Sequence, residues 1–283
     1  MRKLRSAYSN LHHASAQGAM AMTTLGRDTA KAFLSNCPTN SLWFERFCKG
    51  CFKRMGQEAH QNLAISVKVM LALLALLDRE WEAAEQQARQ SLAMIGAYAC
   101  IAYGGSFRGD EVFHTDLCEL LKHSTTPLIE NKLPYVLIPL LGRFKNEDGE
   151  HYHLIPLAFE TRSGIEIGKW VERLVQVKKS HRQTGGPAFS DQSGRHISQH
   201  WMEMEILDRQ HQVQIENPEV IPNDINVYEE YGISRSFQRG ASTQARNQCV
   251  DENDINLINR WRTVENAKGC KPKLQMQDHY SEI

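Results

Sequence analysis

The sequence predicts an α+β chain, predominantly helical, with one small antiparallel sheet and a partial helical domain ahead of it. Three observations lead there. Apolar residues recur at helical spacing through most of the chain from Ser41 onward. Two apolar runs, Tyr135–Leu141 and His151–Leu157, flank the acidic stretch Asn146-Glu147-Asp148-Gly149, the pattern of a β-hairpin. Glycine and proline pairs stand between the periodic segments, as at Gly104-Gly105 and Gly185-Gly186-Pro187. A chain of 283 residues can bury a full core.

Residues 1–40, rich in Ala, Ser, Thr and basic residues, read as a loosely helical or partly disordered leader. Residues 41–91 read as a helical domain. Ser41 is an N-cap candidate, Trp43, Phe44, Phe47 and Phe52 form one stripe, and a second helix spans about Gln61 to Ala88. The apolar face of that helix (Leu63, Val67, Met70, Leu71, Leu74, Leu77, Trp81) has the spacing of a core-facing stripe. A domain break is placed near Arg89 to Ser91, and residues 92–283 form the second domain. Its first helix, Leu92 to Tyr103, is apolar or small almost throughout and is expected to be buried on all sides. It stops at Gly104-Gly105, and Ser106 is read as the N-cap of the next helix. After the hairpin, whose prolines favour edge positions, Ile167, Trp170, Val171, Leu174 and Val177 mark a helix, and His196 to His211 another. Residues 217–231, with Pro218 and Pro222, read as a loop. Short helices follow at 235–247, 251–260 and 275–281.

Lys+Arg and Asp+Glu both number 33, so net charge does not point to a polyanionic partner. The distribution is uneven. Residues 1–60 carry nine basic side chains against three acids, whereas 201–231 carries eight acids against Arg209. Seven irregularly spaced cysteines without a preceding signal peptide fit reduced thiols inside a cell. The single Cys48-Lys49-Gly50-Cys51 lacks the second pair of a zinc site and falls within an amphipathic pattern, so its thiols are read as core. The most apolar run, Leu63 to Leu77, has 15 residues and contains Lys68. It is too short to span a bilayer, and the protein is expected to be soluble.

The candidate chemistry lies in five widely separated places. Phe107-Arg108-Gly109-Asp110-Glu111 opens a helix; Gly142-Arg143-Phe144-Lys145-Asn146 stands in the hairpin; Ser236-Phe237-Gln238-Arg239 opens a later helix; Asn259-Arg260-Trp261-Arg262 follows; and Asp278-His279-Tyr280 lies near the last residue. Phosphodiester transfer needs a nucleophile, cations to hold developing negative charge and an acid for the leaving oxygen. Arginine suits the phosphate because its planar fork binds two oxygens and stays charged. A tyrosine hydroxyl, with an ordinary pKa of about 10, becomes nucleophilic when nearby positive charge favours the phenolate.

This ordered set of arginine, lysine, arginine, tryptophan and tyrosine resembles the catalytic set of the tyrosine recombinases, the phage integrase family. The resemblance covers roughly residues 92–283 and is best in 106–112 and 232–280. It implies a site-specific recombinase or integrase, of mobile-element type, that cuts and rejoins DNA through a 3′-phosphotyrosyl link. Tyr280 would be the nucleophile, Arg108 and Arg239 would stabilise the pentacoordinate phosphate, Lys145 would protonate the departing 5′-oxygen, and Trp261 and Ser236 would add hydrogen bonds. No metal or other cofactor is implied. The partners would be double-stranded DNA and further copies of the chain in a tetramer, with no membrane, at an intracellular location with the DNA. Two positions depart from the family pattern: Ser236 stands where histidine is usual, and Gly240 where a second histidine often follows the arginine. The Ser236 departure, with only three residues after Tyr280 where many members carry a further helix, motivates the alternative of a decayed or domesticated recombinase fold that binds DNA without catalysis. The zero net charge motivates a further one, a helical interaction protein without a DNA role.

Overall fold

A computed structural model describes residues 62–123, 128–130, 133–142 and 151–259. The chain divides into two units, Met1–Gln61 and Asn62–Ile283, and the described residues belong to the second. The leader, the helix expected from Ser41, the Cys48–Cys51 pair, the hairpin turn and the terminal helix at 275–281 lie outside them, as do Lys145, Trp261 and Tyr280.

Helix α1 (Val67–Ala83) starts where Ser66, in extended conformation, accepts the Val69 N–H on its side chain. It buries Val69, Met70, Leu73, Leu74, Leu76 and Leu77, while Leu63, Val67, Leu71 and Trp81 lie partly buried beside them. The stripe expected from the sequence is therefore rotated but adjacent. The helix also ends earlier than expected, because Ala84 and Glu85 are both extended and the chain turns there into α2 (Gln86–Gly104). The division between units falls at 61/62 and not near 91: α1 and α2 share one core with the rest of the described chain. As expected, α2 is buried on every face from Leu92 to Tyr103. Gly96 is required there, since a Cβ would sit 2.0 Å from the Trp170 ring.

Two short helices follow, α3 (Gly109–Val112) and α4 (Leu117–His123), then β1 (Leu128–Glu130), β2 (Leu133–Gly142) and β3 (His151–Ala158) in a three-stranded antiparallel sheet of order β1-β2-β3. The expected hairpin is β2–β3, with Ile138 opposite Ile155. Strand β1, three residues long, was not expected. Pro156 lies on edge strand β3, whereas Pro139 is on the central strand. It falls beyond the reach of β1, which pairs only with Leu133 to Tyr135, so no ladder bond to β1 is lost. Val136, Ile138, Leu140 and Leu157 face the core; Leu141, Tyr152 and Leu154 are exposed.

Helix α5 (Ile167–Ser180) crosses α2, with Trp170 lying on Gly96. Arg173 stacks on Trp81 and Trp170 and forms an ion pair with Asp78 of α1. Helix α6 (Gln199–Glu216), capped by Ser198, is bound to α1 by Arg209 with Glu80 and by Arg79 with Glu216. Part of the acidic stretch thus answers basic groups within the fold. A single helical turn, α7 (Val227–Glu230), interrupts the expected 217–231 loop, and α8 (Ser236–Asn247) and α9 (Glu252–Ile258) follow within a few residues of the expected bounds. The segment before α1 is sewn to this end: the Leu63 N–H donates to Glu230 C=O and the Ile65 N–H to Ser236 C=O. Among the described residues no helix is long and apolar enough to cross a membrane.

Candidate functional site

Tyr98 of α2 lies beneath the site. Its ring meets Phe113, just after α3, at 5.2 Å and Phe237, in the first turn of α8, at 6.1 Å between centroids. Its hydroxyl donates to Gly109 C=O at 2.9 Å. The two segments that carry Arg108 and Arg239 therefore rest on one buried aromatic side chain.

They also bond directly to each other. Gly109 N–H donates to Ser234 C=O at 3.3 Å, Gln238 Nε2 donates to Ser106 C=O at 3.2 Å, and Ser106 Oγ approaches Gln238 C=O at 3.4 Å. No side chain fits at 109, where a Cβ would lie 2.8 Å from both Ile233 C=O and the Tyr98 hydroxyl. The sequence separation of 132 residues between Ser106 and Gln238 is closed at this junction.

Arg108 is the N-cap residue of α3, half-buried and extended; Ser106, expected in that role, instead has φ of 50° and is turned into the interior. Glu111 caps the helix by accepting the Arg108 backbone N–H on its carboxylate at 2.9 Å. No salt bridge to Asp110 or Glu111 holds the Arg108 guanidinium among the described residues. Arg239, 7% exposed, lies in the first turn of α8. A cation at the positive end of a helix opposes the helix dipole, the reverse of the arrangement that stabilises helices. Ser236 is fully buried, and its hydroxyl accepts the Gly232 N–H at 3.0 Å, holding the turn that leads into α8. Gly240 has no room for any side chain: a Cβ would lie 1.9 Å from Ile65 C=O.

The strand leading to Lys145 reaches the same neighbourhood. Leu141 N–H donates to His114 C=O and Asp116 N–H to Pro139 C=O, fixing the end of β2 to the turn after α3. On the other side, Asn259, two residues before Trp261, accepts Ser106 Oγ at 2.6 Å on its side-chain oxygen. The described chain thus brings Arg108 and Arg239 segments together, with the chain leading to Lys145 and that leading to Trp261 fastened beside them.

No protein-family model matches the chain, and no curated protein matches it.

Three of the eight tyrosines compete poorly as nucleophiles. Tyr98 and Tyr103 are buried, which raises both hydroxyl pKa values, that of Tyr103 through burial alone. The Tyr228 hydroxyl donates to Asp208 at 2.9 Å, and that bond also raises its pKa, the wrong direction for a phenolate. Among the described residues one group, Asp116, Cys118 and Glu119, offers three metal-ligand atoms within 4.8 Å of one another. Asp116 already accepts the Glu119 N–H at 2.9 Å and Glu119 pairs with Lys122 at 2.6 Å, so their polar capacity is partly used.

Sequence reasoning missed Lys178. It is fully buried in α5, and its ammonium donates to Ser190 C=O at 2.6 Å and to Ser190 Oγ at 2.8 Å. Burial pushes its pKa down to about 8. A signal was present: Lys178 continues the Val171, Leu174 stripe at i+7 and i+4.

Proposed function

We propose that this chain is a tyrosine-recombinase-type DNA strand transferase. The observation that carries the proposal is the junction of segments 106–109 and 233–239 over Tyr98, which fastens to each other the two stretches of chain that carry arginines 131 positions apart. Asn259 ties the approach to Trp261 to that junction. Joined segments of this kind are a precondition for two arginines to share one phosphate, since each guanidinium binds two oxygens and neither loses its charge.

In this reading Tyr280 Oη, having released its proton to solvent, attacks the scissile phosphorus as the phenolate, a P–O bond to tyrosine forms, and the bond to the 5′-oxygen breaks. Lys145 gives that oxygen its proton. Arg108 and Arg239 hold the charge on the non-bridging oxygens, and Trp261 adds an N–H donor. Ser236 contributes by holding the start of α8 through Gly232. The phosphotyrosine keeps the energy of the broken bond, so religation needs neither metal nor nucleotide. Double-stranded DNA is the substrate, and tetrameric self-association on it and an intracellular location with it belong to the same proposal.

The test uses a duplex recovered from a randomised pool on the immobilised full chain, then nicked beside each candidate phosphate in turn. Cleavage next to a nick releases a short 5′-product and traps the protein on DNA, visible after denaturing electrophoresis. Covalent adduct with the wild type and its loss in Tyr280→Phe support the reading; adduct that survives in Tyr280→Phe names another nucleophile.

A second reading, DNA binding without cleavage, is favoured by Ser236 and Gly240. The two positions where the resemblance calls for imidazoles are a committed hydroxyl and a glycine with no space for a side chain. Duplex retained without any adduct supports it.

A further inference from the structure

We propose that Ser106, Gln238, Ser242 and Asn259 form a buried positioning knot that sets the register of the end of α9 against both arginine-bearing segments. All four are buried. Their bonds form a connected path: Gln238 Nε2 donates to Ser106 C=O at 3.2 Å, Ser106 Oγ to Asn259 Oδ1 at 2.6 Å, and Ser242 Oγ to Gln238 C=O at 2.8 Å. Ser242 Oγ also lies 3.3 Å from Asn259 Oδ1. Asn259 Nδ2 donates to Ile255 C=O at 2.7 Å, so its oxygen is the atom turned toward the two hydroxyls.

Three features set this knot apart from ordinary packing. It joins three stretches of chain, the loop before Arg108, the helix of Arg239 and the end of α9, with separations of 132, 153 and 17 residues. An apolar junction would bury these segments without directional bonds, whereas a polar network holds only when its members meet in one geometry. Ser106 also occupies the left-handed region at φ of 50°, a conformation that costs a non-glycine residue on the order of 1 kcal/mol. That strain turns its hydroxyl and its carbonyl toward Asn259 and Gln238 at once. The knot thus acts through other groups as a positioning device. Its consequence for chemistry rests on the recombinase reading, in which Trp261 and Tyr280 lie beyond Asn259.

Ser106→Gly separates positioning from folding. Glycine adopts φ of 50° without strain and keeps the carbonyl bond to Gln238, but it removes the hydroxyl. The melting temperature is expected to hold within about 2 °C or rise. Amide exchange in residues 252–259 is expected to accelerate about tenfold, the effect of losing one buried hydrogen bond locally. Single-turnover adduct formation on the selected nicked duplex is expected to fall at least about tenfold with duplex affinity unchanged, the signature of lost alignment. Asn259→Ala should also accelerate that exchange and slow adduct formation, and the double variant should be no worse than Asn259→Ala alone, because Asn259→Ala already removes the bond to Ser106 together with those to Ser242 and Ile255. Unchanged exchange at 252–259 overturns the knot. Faster exchange with an unchanged adduct rate overturns its positioning role and leaves the recombinase reading standing. Faster exchange when the wild type forms no adduct on any nicked duplex supports the knot as a fastening and overturns the recombinase reading alone.

Discussion

Gln238 and Ser106 are bonded across 132 positions, the Gln238 side-chain amide to the Ser106 carbonyl, with the Ser106 hydroxyl turned toward the Gln238 carbonyl. The contact is wholly buried, so water cannot replace either partner when one is lost.

Gln238→Ala leaves the Ser106 carbonyl without its amide donor. A loss of about 1–3 kcal/mol is expected from urea unfolding, against a change within about 0.5 kcal/mol for the exposed control Gln248→Ala. Equal midpoints for the two variants would mean that the Arg108 and Arg239 segments are held by the surrounding apolar contacts.

Gly240→Ala should be far worse than its one added methyl suggests. The new Cβ would lie 1.9 Å from the Ile65 carbonyl oxygen, and that backbone is itself tied to Ser236. A destabilisation of about 3 kcal/mol or more is expected, at the upper end for overpacking. Thermal melting checks it, and a melting point close to wild type would contradict the tight seat of α8 on residues 62–66.

Lys178 makes a pH-dependent contribution with a definite sign. Its folded pKa of about 8 is below the unfolded value of 10.5, so between those values the unfolded chain binds more protons than the native one. Stability therefore rises with pH across that window, and below about pH 8 the full cost of the buried charge is present. Lys178→Met removes the titration, and Ser190 C=O keeps the Gln90 amide at 3.1 Å. The difference between wild type and variant should shift in favour of the wild type by up to about 3 kcal/mol from pH 7.5 to 10.5. A constant difference in urea unfolding across that range would show that the lysine does not titrate there.

If Lys145 is the general acid of strand cleavage, Lys145→Ala should slow adduct formation about 100-fold or more on a normal nicked duplex. A duplex with sulfur in place of the 5′-bridging oxygen should be largely spared, because a thiolate leaves without a proton. Equal losses on both substrates would assign Lys145 to binding and not to proton transfer.

Much of this architecture was determined by local sequence. The unbroken apolar run from Leu92 to Tyr103 could only be a helix buried on all sides, and it is. Two apolar runs around an acidic, glycine-ended stretch gave the β2–β3 pairing, because alternation and turn chemistry act over neighbouring residues. Motif and order single out Arg108 and Arg239, whereas the bonds between their segments are tertiary.

What only the tertiary structure decided depends on partners far away in the chain. Nothing near Ala84-Glu85 resembles a breaker, yet the helix stops there and the chain turns back on itself. Ser106 reads locally as a cap for α3, but bonds to Gln238 and Asn259 draw it inward and leave that place to Arg108. Lys178 reads as a solvated charge until Ser190 closes over it, and Gly240 reads as an ordinary departure from a motif until Ile65 occupies the space beside it. Periodicity and turn chemistry record energies between neighbours in the chain. The hydrogen bonds and close contacts that align a site join residues more than a hundred positions apart, and they acquire their energy only when burial excludes water from both partners.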